Sequence, residues 1–189
     1  MAMDIVVGIT GASGALYAVR LMEELAEQCR VTLVASDTAK ELIAEETDLD
    51  FADLENLAHE TAGNCDMNAG ICSGSRAFDA MVIVPCSMAT LGKIACGISD
   101  NVITRAASVA MKERRKLILV PRETPLSSIH LENMLKLSRE GVIILPAMPG
   151  FYGRPETATD MVDFIVGRIM DLLDLENSLG PRWGQRTQS

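Results

Sequence analysis

Five short apolar runs, each followed by a loop or a helical pattern, constrain this chain more than any other feature. Residues 4–10 (DIVVGIT), 31–36 (VTLVAS), 80–86 (AMVIVPC), 117–120 (LILV) and 142–146 (VIILP) have the length and composition of strands buried on both faces. Amphipathic stretches such as ALYAVRLMEELAEQ and SSIHLENMLKLSREG alternate with them. A strand with two apolar faces needs helices on both sides of its sheet. The pattern therefore predicts an α/β domain of three layers around a parallel sheet. No internal repeat or linker interrupts it, and 189 residues suffice for a single domain, 1–189, with one core.

In open sheets of this kind ligands bind outside the carboxyl ends of the strands. The first run leads into Gly11-Ala12-Ser13-Gly14 and then a helix. Small residues there let backbone N–H groups approach an anion, and a helix N-terminus adds its dipole. The spacing is G-x-x-G-A-S-G, without a Walker lysine, so the same residues also suit a plain tight turn. The second run delivers Ser36 and Asp37 as caps of the helix DTAKELIAEE, and the third delivers Pro85-Cys86-Ser87-Met88-Ala89-Thr90. Three strands thus bring hydroxyls to one rim, which a bound phosphate ester would use together. Glu46, in the Glu46-Thr47-Asp48 segment, reads from spacing alone as a surface carboxylate at a helix end. Residues 49–79 are irregular, a short helix and a long loop whose length points to a covering role.

The charge distribution is uneven. Formal net charge is −9, yet six of the 17 Lys and Arg residues fall within Arg105–Glu123. Apolar residues at helical spacing predict a helix over about 101–116, with Asp100 as N-cap. Arg105 and Lys112, seven residues apart, then share a face at ~10 Å separation. Arg114, Arg115 and Lys116 read as a solvated helix end whose cations suit the dipole. The strand that follows ends at Pro121 and delivers Arg122 and Glu123 to the rim. The last helix, TATDMVDFIVGRIMDLLDL, has an apparent apolar stripe at 161, 164, 165, 169, 172 and 173 that contains Arg168. A charge in such a stripe needs a carboxylate across a subunit interface or an anionic ligand. Before that helix, AMPGFYGRP carries Tyr152 and Arg154. The tail from about 176 to 189 reads as partly ordered, with Trp183 docking.

Composition excludes several classes. An acidic chain leaves no basic surface for nucleic acid, and no apolar run reaches the length of a membrane span. Five cysteines without a CxxC pair suggest reduced thiols and a cytoplasmic setting. The two histidines, His59 and His130, poorly supply either a zinc site or a catalytic triad.

Taken together, TGASGA (10–15), ETD (46–48), PCSMAT (85–90), RAASVAMKERR (105–115), PRETPLSSIHLENMLKLS (121–138), PGFYGRP (149–155) and PRWG (181–184) resemble the UbiX/Pad-type flavin prenyltransferases. These belong to the flavoprotein superfamily that also holds cysteine-peptide decarboxylases. The resemblance runs nearly end to end, is most specific in 121–138 and departs chiefly in 49–79. It implies a Rossmann/flavodoxin-like, FMN-binding fold and an enzyme joining a dimethylallyl group from dimethylallyl phosphate to reduced FMN. A fourth ring then spans N5 and C6, and the prenylated FMN serves a UbiD-type decarboxylase. It implies FMN contacts from Gly11, Ala12, Ser13, Ser36, Ser87, Met88, Ala89, Thr90 and Arg122. Lys112, Tyr152, Arg168 and Arg105 would meet the substrate phosphate. Glu123 is then the candidate proton acceptor for C6, Glu46 the candidate for proton exchange with the departing phosphate, and Ser13 the group that positions N5.

No Asp-rich motif for Mg²⁺ appears, so fixed cations would do its electrostatic work without metal. Lys112 lies ~10 Å down its helix from Arg105, so the cations fit a site shared between subunits; the resemblance also implies a large homo-oligomer, commonly a dodecamer. Two other readings remain open on the residues: an FMN-dependent decarboxylase, and a non-catalytic FMN carrier, which would need no second phosphate site.

Overall fold

A computed structural model describes residues 2–180; the expected docking of Trp183 and the PRWG segment lie outside the described residues. Six strands form one all-parallel sheet in the order β3-β2-β1-β4-β5-β6. They are β1 (Met3–Ile9), β2 (Cys29–Ala35), β3 (Glu60–Thr61), β4 (Ala80–Cys86), β5 (Lys116–Pro121) and β6 (Ile143–Ile144). The helices are α1 (Ala15–Ala26), α2 (Asp37–Glu46), α3 (Phe51–Leu57), α4 (Met88–Ala95), α5 (Val102–Lys112), α6 (Ser128–Arg139) and α7 (Ala158–Leu172). This is the expected Rossmann/flavodoxin-like α/β fold. The chain forms two compact units, one ending at Ala147 and one beginning at Met148; the sheet and α1–α6 belong to the first.

Strand order explains where a ligand can enter. From β1 the chain steps outward through β2 to β3, then returns to place β4 on the other side of β1 and steps outward to β6. Right-handed crossovers running in opposite directions put their helices on opposite faces. Helices α1, α2 and α3 accordingly contact one another, and α4 contacts both α5 and α6. The core beneath the second set joins Val6, Val34, Met81, Ile83, Leu117 and Leu119 of the sheet to Leu91, Val102, Ile103, Ala106, Val109 and Leu137 of the helices. The carboxyl ends of β1 and β4, where the winding reverses, form the natural crevice.

Several boundaries depart from the sequence expectation. Helix α5 starts one residue later than expected and stops at Lys112. Its N-cap is Asn101, whose side chain takes the Thr104 N–H in a capping box, while Asp100 pairs with Lys93 at 2.7 Å. Arg114 adopts a left-handed backbone (φ 59°) just past the helix. The 49–79 region adds a short strand, β3, paired to Thr32 and Leu33 of β2, and a 3₁₀ turn at Gly70–Cys72. Only two residues of the VIILP run are in strand, Ile143 and Ile144, paired to Ile118 and Leu119 of β5.

In the second unit, the buried residues of α7 are Val162, Ile165, Val166, Gly167, Ile169 and Met170. The stripe is therefore rotated from the expected positions, and Arg168 lies outside it. Its side chain is 55% exposed and pairs with Asp171 at 3.0 Å, three residues along the same helix. The puzzle of a cation in an apolar stripe disappears with that correction.

Candidate active site

The carboxyl ends of β1 and β4 are tied together by Thr10. Its side chain donates to the Pro85 carbonyl at 2.9 Å and accepts the Ser87 N–H at 2.7 Å, and its own N–H reaches Pro85 at 3.2 Å. Thr10 is 2% exposed. The Ser36 N–H reaches back to Ile9 at 3.0 Å, which brings the start of α2 to the same rim. Ser36 accepts the Ala39 N–H, and Ser87 accepts the Thr90 N–H while donating to the Thr90 hydroxyl at 3.0 Å. These hydroxyls cap their own helices, and the Ser36 and Thr90 protons remain for a ligand. Arg122 joins them from the end of β5, with Nε donating to the Ser13 carbonyl at 3.0 Å.

Glu46 is no idle surface carboxylate. One of its oxygens accepts the N–H groups of both Gly14 and Ala15 at 2.8 Å, which are the first donors of α1. Burial alone would push its carboxyl up. The two backbone N–H groups, the Ser13 hydroxyl and the Arg122 guanidinium outweigh that and hold it below the ordinary Glu range. Glu46 is thereby anchored at the α1 N-terminus. The carboxylate occupies the donors that the glycine pattern seemed to reserve for a phosphate. Gly11 has a different reason to be small: a Cβ there would come within 2.8 Å of Thr38. Gly14 has a positive φ of 120°, which disfavours any other residue.

Burial holds the Cys86 thiol at the end of β4 up at about 12, so it stays protonated and inert at the rim. Glu123 is exposed beyond β5, and its Oε1 accepts the Thr124 N–H at 3.1 Å. Met88 and Ala89 form the first turn of α4.

A second cationic feature runs along α5, which packs beside α4. Arg105 donates through Nε to the Cys72 carbonyl at 3.0 Å, and among the described residues its terminal nitrogens meet no acceptor. Lys112 pairs with Glu113 beside Gly74. Arg115 donates to the carbonyls of Gly74 and Arg76 at 2.9 and 3.0 Å and lies over the Phe78 ring, so it is not the freely solvated helix end expected. The Cys72-Ser73-Gly74-Ser75-Arg76 turn therefore runs beside two cations of α5, Arg105 and Lys112, and Arg115 just past its end. Sequence reasoning missed it, although two serines around a glycine in a long loop were a usable signal. The structure brings together Gly11–Ser13, Ser36, Glu46, Ser87–Thr90 and Arg122 at the rim. Arg105 and Lys112 lie on α5, whose first turn packs over β1, where a Cβ on Gly8 would meet Ile103 at 3.4 Å. Tyr152 is exposed in the second unit, where its ring meets that of Phe164 edge-on, and Arg168 belongs to the same unit.

A family model described as Flavoprotein matches residues 2–170, which contain every one of these residues. The flavin prenyltransferase UbiX of Methanocaldococcus jannaschii is 51% identical over 182 residues, covering 96% of this chain and 99% of its own. The chain belongs to the UbiX-type flavin prenyltransferase family of flavoproteins. Two solved structures resemble this UbiX-type chain along nearly its whole length. A dodecameric FMN-dependent UbiX-like decarboxylase from Escherichia coli O157:H7 has a TM-score of 0.95 at 46% identity, covering 97% of this chain and 100% of its own. AnUbiX (PadA1), in complex with FMN and dimethylallyl pyrophosphate, has a TM-score of 0.96 at 42% identity, covering 98% and 100%. As a UbiX-type chain, it is expected to hold a flavin, and the rim offers suitable donors: the Ser36 and Thr90 hydroxyls, the Gly11 and Ser13 N–H groups and the Arg122 guanidinium. No described helix is long and apolar enough to cross a membrane. Among the described residues no His, Cys, Asp and Glu cluster is arranged to hold a metal ion.

Proposed function

We propose that this chain transfers a dimethylallyl group from dimethylallyl phosphate to reduced FMN, yielding prenylated FMN for a UbiD-type decarboxylase. The carrying observation is that the chain has two polar stations. One is a rim of hydroxyls, backbone amides and Arg122 at the β1/β4 crevice; the other is the cationic face of α5. A flavin carrier needs only the first. A decarboxylase reading lacks its catalytic histidine: His130 accepts the Ser127 N–H at 3.3 Å as part of a helix cap, and His59 follows α3.

When bound, reduced FMN supplies the nucleophilic ring atoms. The chain's residues then have distinct tasks. Gly11, Ala12, Ser13, Ser36, the Ser87–Thr90 segment and Arg122 hold and orient the flavin. Glu46, held at the α1 N-terminus, is placed to exchange a proton with the departing phosphate, and Ser13 beside it positions N5. Glu123, exposed next to Arg122, takes the proton lost at C6. Arg105 and Lys112 offset the charge of the leaving phosphate in place of a metal. In the second unit, Arg168 carries a cation and Tyr152 a hydroxyl donor of the kinds that suit a phosphate.

Neighbouring copies complete each site, with some of these cations reaching the flavin of another copy. We read the exposed Ile129, Leu131 and Leu135 of α6 as surface that such a copy covers; they are 69, 52 and 51% exposed. A dodecameric assembly and a cytoplasmic setting complete the proposal. Mass spectrometry of flavin extracted after reduced FMN and dimethylallyl phosphate are supplied tests it directly. Flavin heavier by one dimethylallyl unit is expected; flavin of unchanged mass would leave carriage as the function.

A further inference from the structure

Helix α5 begins with backbone N–H groups that have no partner within the helix. Asn101 takes one of them, that of Thr104, at 2.9 Å. The two between are taken by a residue far away in sequence. The Asn64 carbonyl accepts the Val102 N–H at 2.9 Å, and its side-chain Oδ1 accepts the Ile103 N–H at 3.2 Å. Val102 and Ile103 are 0 and 1% exposed, so water cannot replace these bonds.

From Asn64 the chain continues as a strap along α5. Ile71 and Cys72 are buried in the core. The Cys72 carbonyl then holds Arg105 Nε, and the Gly74 and Arg76 carbonyls hold Arg115. Arg76 in turn pairs with Glu60 of β3 at 2.5 Å, which fastens the strap to the sheet edge. Arg105 is therefore gripped twice. Its backbone position is set by the first turn of α5, and the plane of its guanidinium by the Cys72 carbonyl. That leaves the two terminal nitrogens aligned for bidentate contact with an oxyanion.

We propose that Asn64 is a positioning residue for the substrate phosphate, holding the start of α5 so that Arg105 presents its terminal nitrogens in a fixed direction. This rests on the reading of Arg105 as part of the phosphate site. Without Oδ1 the buried Ile103 N–H is orphaned and the first turn shifts to find a partner. A displacement of ~1 Å in a positioning element is enough to cost up to ~10²-fold.

The test is steady-state kinetics of Asn64→Ala, Asn64→Asp and Arg105→Ala with reduced FMN and dimethylallyl phosphate, alongside FMN titration and thermal melting. Asn64→Ala is expected to raise KM for dimethylallyl phosphate by about 10-fold or more, with kcat changed less and FMN affinity at the parent value. Asn64→Asp keeps the acceptor, and should recover KM to within about 3-fold of the parent. An Asn64 that serves stability alone would lower the melting temperature and leave KM untouched, which overturns the inference. So would a loss of FMN affinity equal to the rise in KM. Raised KM in Arg105→Ala with parent KM in Asn64→Ala defeats this inference alone; parent KM in Arg105→Ala removes the phosphate reading and the inference together. If Asn64→Ala does not fold, Asn64→Gln, which displaces the amide by one methylene, is read instead, and a parent KM there is equally decisive against it.

Discussion

Thr10 and Ser87 are 77 residues apart, yet the Ser87 N–H donates to the Thr10 hydroxyl oxygen at 2.7 Å. That bond joins the ends of the two strands between which the sheet reverses its winding. Because Thr10 also donates to Pro85, one buried hydroxyl sets the width of the crevice. Thr10→Val keeps the shape and removes both side-chain bonds, leaving a buried donor without its partner. Destabilisation of about 1–3 kcal/mol is expected, with weaker FMN binding. Denaturant unfolding and flavin titration measure the two; a variant as stable as the parent would show that the hydroxyl is dispensable.

Glu46 should give the fold a pH signature. Its folded-state carboxyl is held below the ordinary Glu range, so the stability it contributes is fully present above the unfolded value of ~4.3. It is lost as pH falls through the depressed folded value. Glu46→Gln should therefore be less stable than the parent at pH 7, by roughly 0.5–1 kcal/mol on the scale of a helix cap. That gap should narrow progressively below pH ~4 as the parent's carboxylate protonates. Melting curves of both proteins from pH 7 to pH 3 supply the comparison, and a gap that widens on acidification would contradict the assigned hydrogen bonds.

Glu123 is exposed and next to Arg122 in sequence. Glu123→Gln preserves size and polarity without the ability to take a proton. FMN affinity is expected to stay at the parent value while turnover falls ~10²–10⁴-fold, the usual contribution of a positioned base. Stopped-flow absorbance reports the rate. Undiminished turnover would transfer the base role to Glu46.

Chelation separates fixed cations from a metal. Turnover is expected to survive EDTA, with Lys and Arg side chains supplying the positive charge at the leaving phosphate. Activity that disappears with EDTA and returns with Mg²⁺ would mean that the phosphate site has been misassigned.

Leu131 and Leu135 are one helical turn apart on the exposed side of α6. Leu131→Glu with Leu135→Glu should break the assembly into smaller species on sizing with light scattering. Turnover should fall with it, since each site draws on a neighbouring copy. An intact assembly of the double variant would move the contact elsewhere.

The sequence by itself determined the layers and the rim. Buried strands need apolar residues at nearly every position, so β1, β2, β4 and β5 stood out by composition. Ser36 and Ser87 stood out because a helix start selects for side-chain acceptors. The end-to-end resemblance likewise needed only linear motifs. What tertiary structure decided are the relations between distant segments. Glu46 takes the first donors of α1 across 32 residues, Asn64 takes those of α5 across 39, and the 72–76 turn lies along the cations of one helix. Periodicity cannot show these, because a loop's carbonyls and amides are the same in every residue and only the fold decides which donors they meet. The misplacement of Arg168 has a related cause. In an apolar helix several stripes look alike in sequence, and which one is buried depends on what the helix packs against.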